Sequence, residues 1–127
     1  MKRGEVVLVD WPYSDRTGSK LRPAVVVQAD FLNGLIDDTI LVQITRTSHG
    51  VPGTEVSLAP SQETASGLIH PSFVSYANLL TADPQLIDQT IGYLSDTAMQ
   101  QINQCLKKVL ELPRGEPACI FTCRATW

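Results

Sequence analysis

The apolar residues of this chain change their period once. From residue 97 to 112, Met99, Ile102, Leu106, Val109 and Leu110 recur at helical spacing, which predicts one amphipathic helix. Ahead of it no stretch keeps that period; short runs rich in β-branched residues alternate with turn formers instead. Strands first and one helix last restrict the chain to a small β-barrel or curled sheet with a helix laid on it. Strands are expected over 4–11, 22–30, 38–46, 54–60, 71–80 and 89–94. In the third, Ile40, Val42 and Ile44 share one face, while Leu41, Gln43 and Thr45 share the other. Thr97 with Gln100 fits a capping box at the helix start, Lys107 and Lys108 suit the C-terminal dipole, and Pro113 with Gly115 ends the helix.

A chain of 127 residues is enough for one real core and too short for two. The plan assigns residues 1–112 to one domain and leaves 113–127 as a C-terminal tail without a role. Hydrophobic content of 43% and charged content of 18% argue against disorder. No run reaches membrane-spanning length, and Lys2 and Arg3 are followed by a strand-like pattern rather than the apolar core of a signal peptide. Cys105, Cys119 and Cys123 are an odd number gathered at one end, which is no disulfide framework; Cys-x3-Cys without nearby His is a weak metal signal. The expectation is a soluble cytoplasmic protein with no metal, no cofactor and no membrane contact.

Net charge is −3, yet its distribution says more. Up to residue 46, Lys2, Arg3, Arg16, Lys20, Arg22 and Arg46 stand against six acids, and from 47 to 106 there is no Lys or Arg. A phosphate-facing surface must therefore come from the first third of the chain.

Within that third, SKLRPAVVVQ places Arg22 and Pro23 before the valine run Val25–Val27. The run reads as a strand buried on both faces, with Pro23, which lacks a donor, at its start. Arg22 is then aimed from a rigid element. If the second and third strands pair antiparallel, Arg22 and Thr45 reach the same rim, and an arginine fork beside a hydroxyl is what a phosphate site asks for. The loop 12–20 would add Arg16, Lys20, Ser14 and Ser19 as backbone contacts, with Tyr13 and Trp11 as stacking faces for bases. From the residues alone two plainer readings stay open: Thr45 is at home in any strand, and Arg22 could pair with Asp10 or Asp15.

The segments GEVVLVD.PYSD, GSK.RPAVVV, LVQIT, SGL…SFV and IGYLSDTAMQQINQCLKKVL, in that order over roughly 3–112, resemble the PemK/MazF toxins of type II toxin–antitoxin modules. The resemblance implies an SH3-like barrel with a C-terminal helix, a homodimer with a groove across its interface, and a cognate antitoxin protein as partner. It implies a sequence-specific, metal-independent endoribonuclease (an mRNA interferase) acting on single-stranded RNA and arresting growth. Arg22 and Thr45 fall on the family's catalytic arginine and threonine; Trp11, Tyr13, Ser14, Arg16, Ser19, Lys20 and Arg46 would bind RNA. The products would carry 2′,3′-cyclic phosphate and 5′-hydroxyl ends.

His49, four residues beyond Thr45, is the candidate general base, since imidazole is the usual base near neutral pH; His70 is a weaker one. Some relatives use an arginine and an acid in the fifth strand, where this chain has Ser75 and Ala77 followed by Asn78. That variant of the acid–base chemistry is not expected here. The alternative is a catalytically inactive or protein-targeting toxin of the same fold, resembling the gyrase poisons.

Overall fold

The structure is a computed structural model that describes residues 1–12, 15 and 17–113. Six strands and two helices follow in the order β1 (Glu5–Pro12), β2 (Ser19–Val26), α1 (Asp30–Asn33), β3 (Thr39–Thr45), β4 (Glu55–Leu58), β5 (Ser72–Ala82), β6 (Ile87–Tyr93) and α2 (Asp96–Val109), with a 3-10 turn at Pro84–Leu86. All pairings are antiparallel in one sheet of order β4-β5-β3-β2-β1-β6.

That order forces the sheet to curl. Four strand spacings separate β5 from β6, about 19 Å in a flat sheet. Only residues 83–86 join them, and their middle winds into the 3-10 turn, which rises by only about 2 Å per residue. The connection fits only if β6 swings round toward β5. Hydrogen bonding does not carry the curl to closure among the described residues: β4 and β6 are the sheet's two edges. The expected barrel is thus an open one, and the loop 59–71 lies along the β6 edge in place of a strand. Tyr93 N donates to Ala65 O at 2.9 Å, and an added Cβ at Gly92 would stand 2.2 Å from that same oxygen. Gly67, at φ +76°, lies equally tight against Ile91 O. The Ser66-Gly67-Leu68 segment is therefore glycine-bearing because two backbones meet there.

Alternation along the strands fills two cores. One, on the helix side, holds Val6, Val25, Val42, Ile44, Val74 and Tyr76 with Ala98 and Ile102 of α2. The other, on the opposite face of the sheet, holds Val7, Val9, Trp11, Ala24, Val26, Leu41 and Ala82. The valine run of β2 thus supplies both faces, as its composition implied.

Several expectations shift. Strand β2 begins at Ser19, so Pro23 sits within it rather than at its start. Val27 N donates to Ile40 O, which turns the polar groups of alternate residues 25 and 23 toward β3. The β2–β3 ladder runs only over Ala24–Val26, so the missing proline donor breaks no bond. Helix α2 is capped by Ser95, whose hydroxyl accepts from Ala98 N, not by Thr97. Glu63 reinforces the cap, taking Ser95 N and Oγ at 2.8 Å each. Leu110 is half exposed beyond the helix end, while Ala98 and Cys105, absent from the expected apolar stripe, pack inward. Burial raises the Cys105 thiol pKa. Cys119, Cys123 and the segment 114–127 lie outside the described residues, as do Tyr13, Ser14 and Arg16.

Candidate functional site

Register builds the site. Ala24 stands opposite Gln43, and the same register carried two residues outward sets Arg22 opposite Thr45, just where the ladder has stopped. Cross-strand partners share a face, so both belong to the face that carries Ala24 and Gln43, opposite the helix-side core. Splayed strand ends leave both side chains half-buried rather than packed. Two concavities meet there. A groove of about 670 Å³ is lined by Trp11, Asp15, Arg22, Gln43, Thr45, His49 and Asn78. A second, of about 490 Å³, is more apolar, with Leu8, Leu21, Ile44 and Ile69 on its walls and Lys20, Arg46 and His70 among its polar members; Arg22 and Thr45 line it too.

The acids proposed as plain partners of Arg22 are engaged elsewhere. Asp10 Oδ1 accepts from Ser19 Oγ at 2.5 Å. Asp15 Oδ1 accepts from Thr17 N and Oγ1, and these bonds hold its carboxyl below the usual range. Thr45 Oγ1 accepts from Thr47 N at 3.2 Å, which leaves its own proton to donate into the groove. An arginine and a hydroxyl donor thus flank one opening, and the carboxylate in the groove lining, Asp15, is held by Thr17. That arrangement suits the non-bridging oxygens of a phosphodiester.

His49 comes to the same groove on the loop 46–54, and the loop is pinned by residues outside it. Glu55, the first residue of β4, accepts from Ser48 Oγ at 2.6 Å and from the His49 backbone N–H. The Ser48 bond and then the His49 bond hold the Glu55 carboxyl below its ordinary range. From the other side, Lys108 Nζ donates to Pro52 O at 3.4 Å.

Sequence reasoning missed the groove's inner wall. Between Val42 and Gln43 the β3–β5 register jumps, from Val42↔Leu79 to Gln43↔Ser75, so Tyr76, Ala77 and Asn78 bulge out of β5. The bulge brings Asn78 to Gln43, whose Oε1 accepts from Asn78 Nδ2 at 2.8 Å. The signal available was Gln43 itself, a polar residue on a strand face otherwise destined for the core. Of the other expected contacts, Lys20 and Arg46 reach only the apolar groove, Ser19 reaches neither, and His70 lies away from His49. Trp11 is 8% exposed and shows the groove an edge of a mostly buried ring. Among the described residues, no three His, Cys, Asp or Glu gather as a metal would need, and no helix is long and apolar enough to cross a membrane.

An antiparallel sheet curled against one helix, with a basic residue and a hydroxyl lining one groove, defines a small mainly-β protein with a candidate anion site. Residues 2–110 match the PemK-like, MazF-like toxins of type II toxin–antitoxin systems, and the chain belongs to that family. Among solved structures, an endoribonuclease in complex with its cognate antitoxin from a mycobacterial species is 25% identical; the match covers 89% of this chain and 97% of that one, at a TM-score of 0.73. The Mycobacterium tuberculosis toxin MazF-mt6 is 21% identical over 84% of this chain and 98% of its own, at 0.67. A MazE-MazF structure from Deinococcus radiodurans is 17% identical over 89% and 98%, at 0.70. A search among curated proteins found no match.

Proposed function

We propose that this chain is the toxin of its module and cleaves single-stranded RNA at selected sequences without a metal ion. The observation that carries the reading is that Arg22 and Thr45, on the paired strands β2 and β3, line one groove. In the reaction, the ribose 2′-oxygen attacks the adjacent phosphorus and the bond from phosphorus to the 5′-oxygen breaks. The 2′ proton passes to a base, for which His49 is the candidate, and the departing 5′-oxygen takes up a proton. A 2′,3′-cyclic phosphate and a 5′-hydroxyl result. Arg22 offsets the charge growing on the phosphorane oxygens, and Thr45 donates to one of them. DNA lacks the nucleophile and is not cut.

The same reading makes the chain a homodimer, so that two-fold symmetry doubles the few cations available to RNA. Its antitoxin would carry an acidic, amphipathic segment that competes with RNA for Arg22. The supporting likeness is the mycobacterial relative described as bound to its cognate antitoxin.

The test is to incubate wild type and Arg22→Ala with a long single-stranded RNA in EDTA and to map the new 5′ ends. Wild type should cut at one short motif, and the variant should be slower by about 100- to 1,000-fold. Absence of cutting by either protein would discard the nuclease and favour a protein-targeting or inactive toxin.

A further inference from the structure

The inner wall of the polar groove holds an amide pair that phosphate chemistry does not use. Gln43 is only 7% exposed, on the strand face that elsewhere carries Leu41. Burying a primary amide there is unfavourable unless its groups are matched. Its Oε1 is matched by Asn78. Its Nε2 has no partner among the described residues and belongs to a residue lining the groove. Across the sheet, the direct neighbour of Gln43 is Ser75, whose buried hydroxyl also lacks a partner. The three-residue bulge of β5 is what allows Asn78 to reach this place, and bulges next to sites commonly re-aim one side chain.

We propose that Gln43 and Asn78 form a base-reading pair, so that the sheet itself determines which RNA is cut. With one Asn78 Nδ2 hydrogen given to Gln43 Oε1, the pair still offers N–H donors from Gln43 Nε2 and Asn78 Nδ2 and the acceptor Asn78 Oδ1. Donors beside an acceptor complement a base edge, and the four bases present their donors and acceptors in different order, so a pair fixed in the sheet favours one base over the others. The pair lines the same groove as Arg22 and Thr45, so the base it reads is one flanking the scissile phosphate. The inference rests on the RNA-cleaving reading for its substrate, and its test is separable from that reading.

Binding is measured first, on short single-stranded oligonucleotides whose riboses are all 2′-O-methylated and so cannot be cut. Oligonucleotides of A, C, G and U are compared by fluorescence anisotropy at fixed salt with wild type, Gln43→Met and Asn78→Ala. Methionine keeps the unbranched shape and removes the amide, and melting curves confirm that each variant is folded. Wild type should prefer one of the four oligonucleotides by about 5- to 150-fold, and both variants should lose that preference. Should Gln43→Met not fold, Asn78→Ala decides alone, since Asn78 is only half-buried.

A preference that survives in a folded variant, or no preference at all, would overturn the proposal. Cleavage of unmodified RNA is then read separately. A wild type that binds with this preference and cuts nothing would refute the nuclease while leaving the amide pair as a base reader. A wild type that cuts at sites unchanged in both variants would do the reverse.

Discussion

The two faces of β3 are one residue apart in sequence and opposite in use. Val42 and Ile44 belong to the same buried apolar cluster as Ile102 and Ala98 of α2. Gln43 and Thr45, between and beyond them, lie on the opposite face and line the polar groove. The helix face is close-packed, so its residues are set by volume. The groove face keeps hydrogen-bonding capacity unspent, so its residues are set by what they leave available to a ligand. A strand that serves both divides the tasks by parity alone.

This division can be broken from the helix side first. Ile102 is fully buried in the helix-side core, and Ile102→Ala should lower unfolding free energy by about 2–5 kcal/mol. In a denaturant titration the midpoint should fall, while the positions of cleavage stay those of wild type. A change of cleavage sites would mean that the two faces are coupled through β3.

The helix cap offers a smaller effect on the same side. Ser95→Ala removes the bond from Ala98 N and the Ser95 hydroxyl's bond to Glu63, and should cost about 1 kcal/mol. Thr97→Ala should cost less than half as much if Ser95 is the cap. Equal losses from the two variants would restore Thr97 to that role.

The smallest effect sharpens the comparison at the groove. The folded Glu55 carboxyl is depressed below 4.5 by its bonds to Ser48 and His49. Its contribution to holding the His49 loop is therefore complete above 4.5 and is lost as pH falls through the lower folded value. In an NMR titration the His49 amide proton should shift with a midpoint below 4.5, while sheet resonances stay in place. A midpoint at or above 4.5 would show that the loop is not held by this carboxylate.

What was legible in the sequence follows from range. Thr45 could be placed because alternation within β3 is local, and Arg22 because a valine run announces its strand. The start of β2 was misjudged because Pro23 is forbidden only where a ladder exists, and the ladder's length depends on β3. Thr97 and Ser95 both have capping chemistry, and the choice between them rests on Glu63, distant in sequence. Helix α1 is four residues long, shorter than any periodicity can reveal. Nothing local marks the β5 bulge, which exists only in the register between two strands, so the Gln43–Asn78 pair was invisible until the strands were paired.

The short link at residues 83–86 also orders events in time. By swinging β6 round to β1, it makes the first strand of the chain wait for nearly the last: Val9 pairs with Ile87 and Glu5 with Tyr93. The β2–β3 pairing that sets Arg22 against Thr45 needs only nearby residues, whereas β1 keeps an unsatisfied edge until β6 has left the ribosome. Such distant pairings are the slow part of folding, because loop closure must precede any contact. The seam between β1 and β6 therefore joins strands far apart in the sequence, and it closes later than the β2–β3 pairing that builds the site.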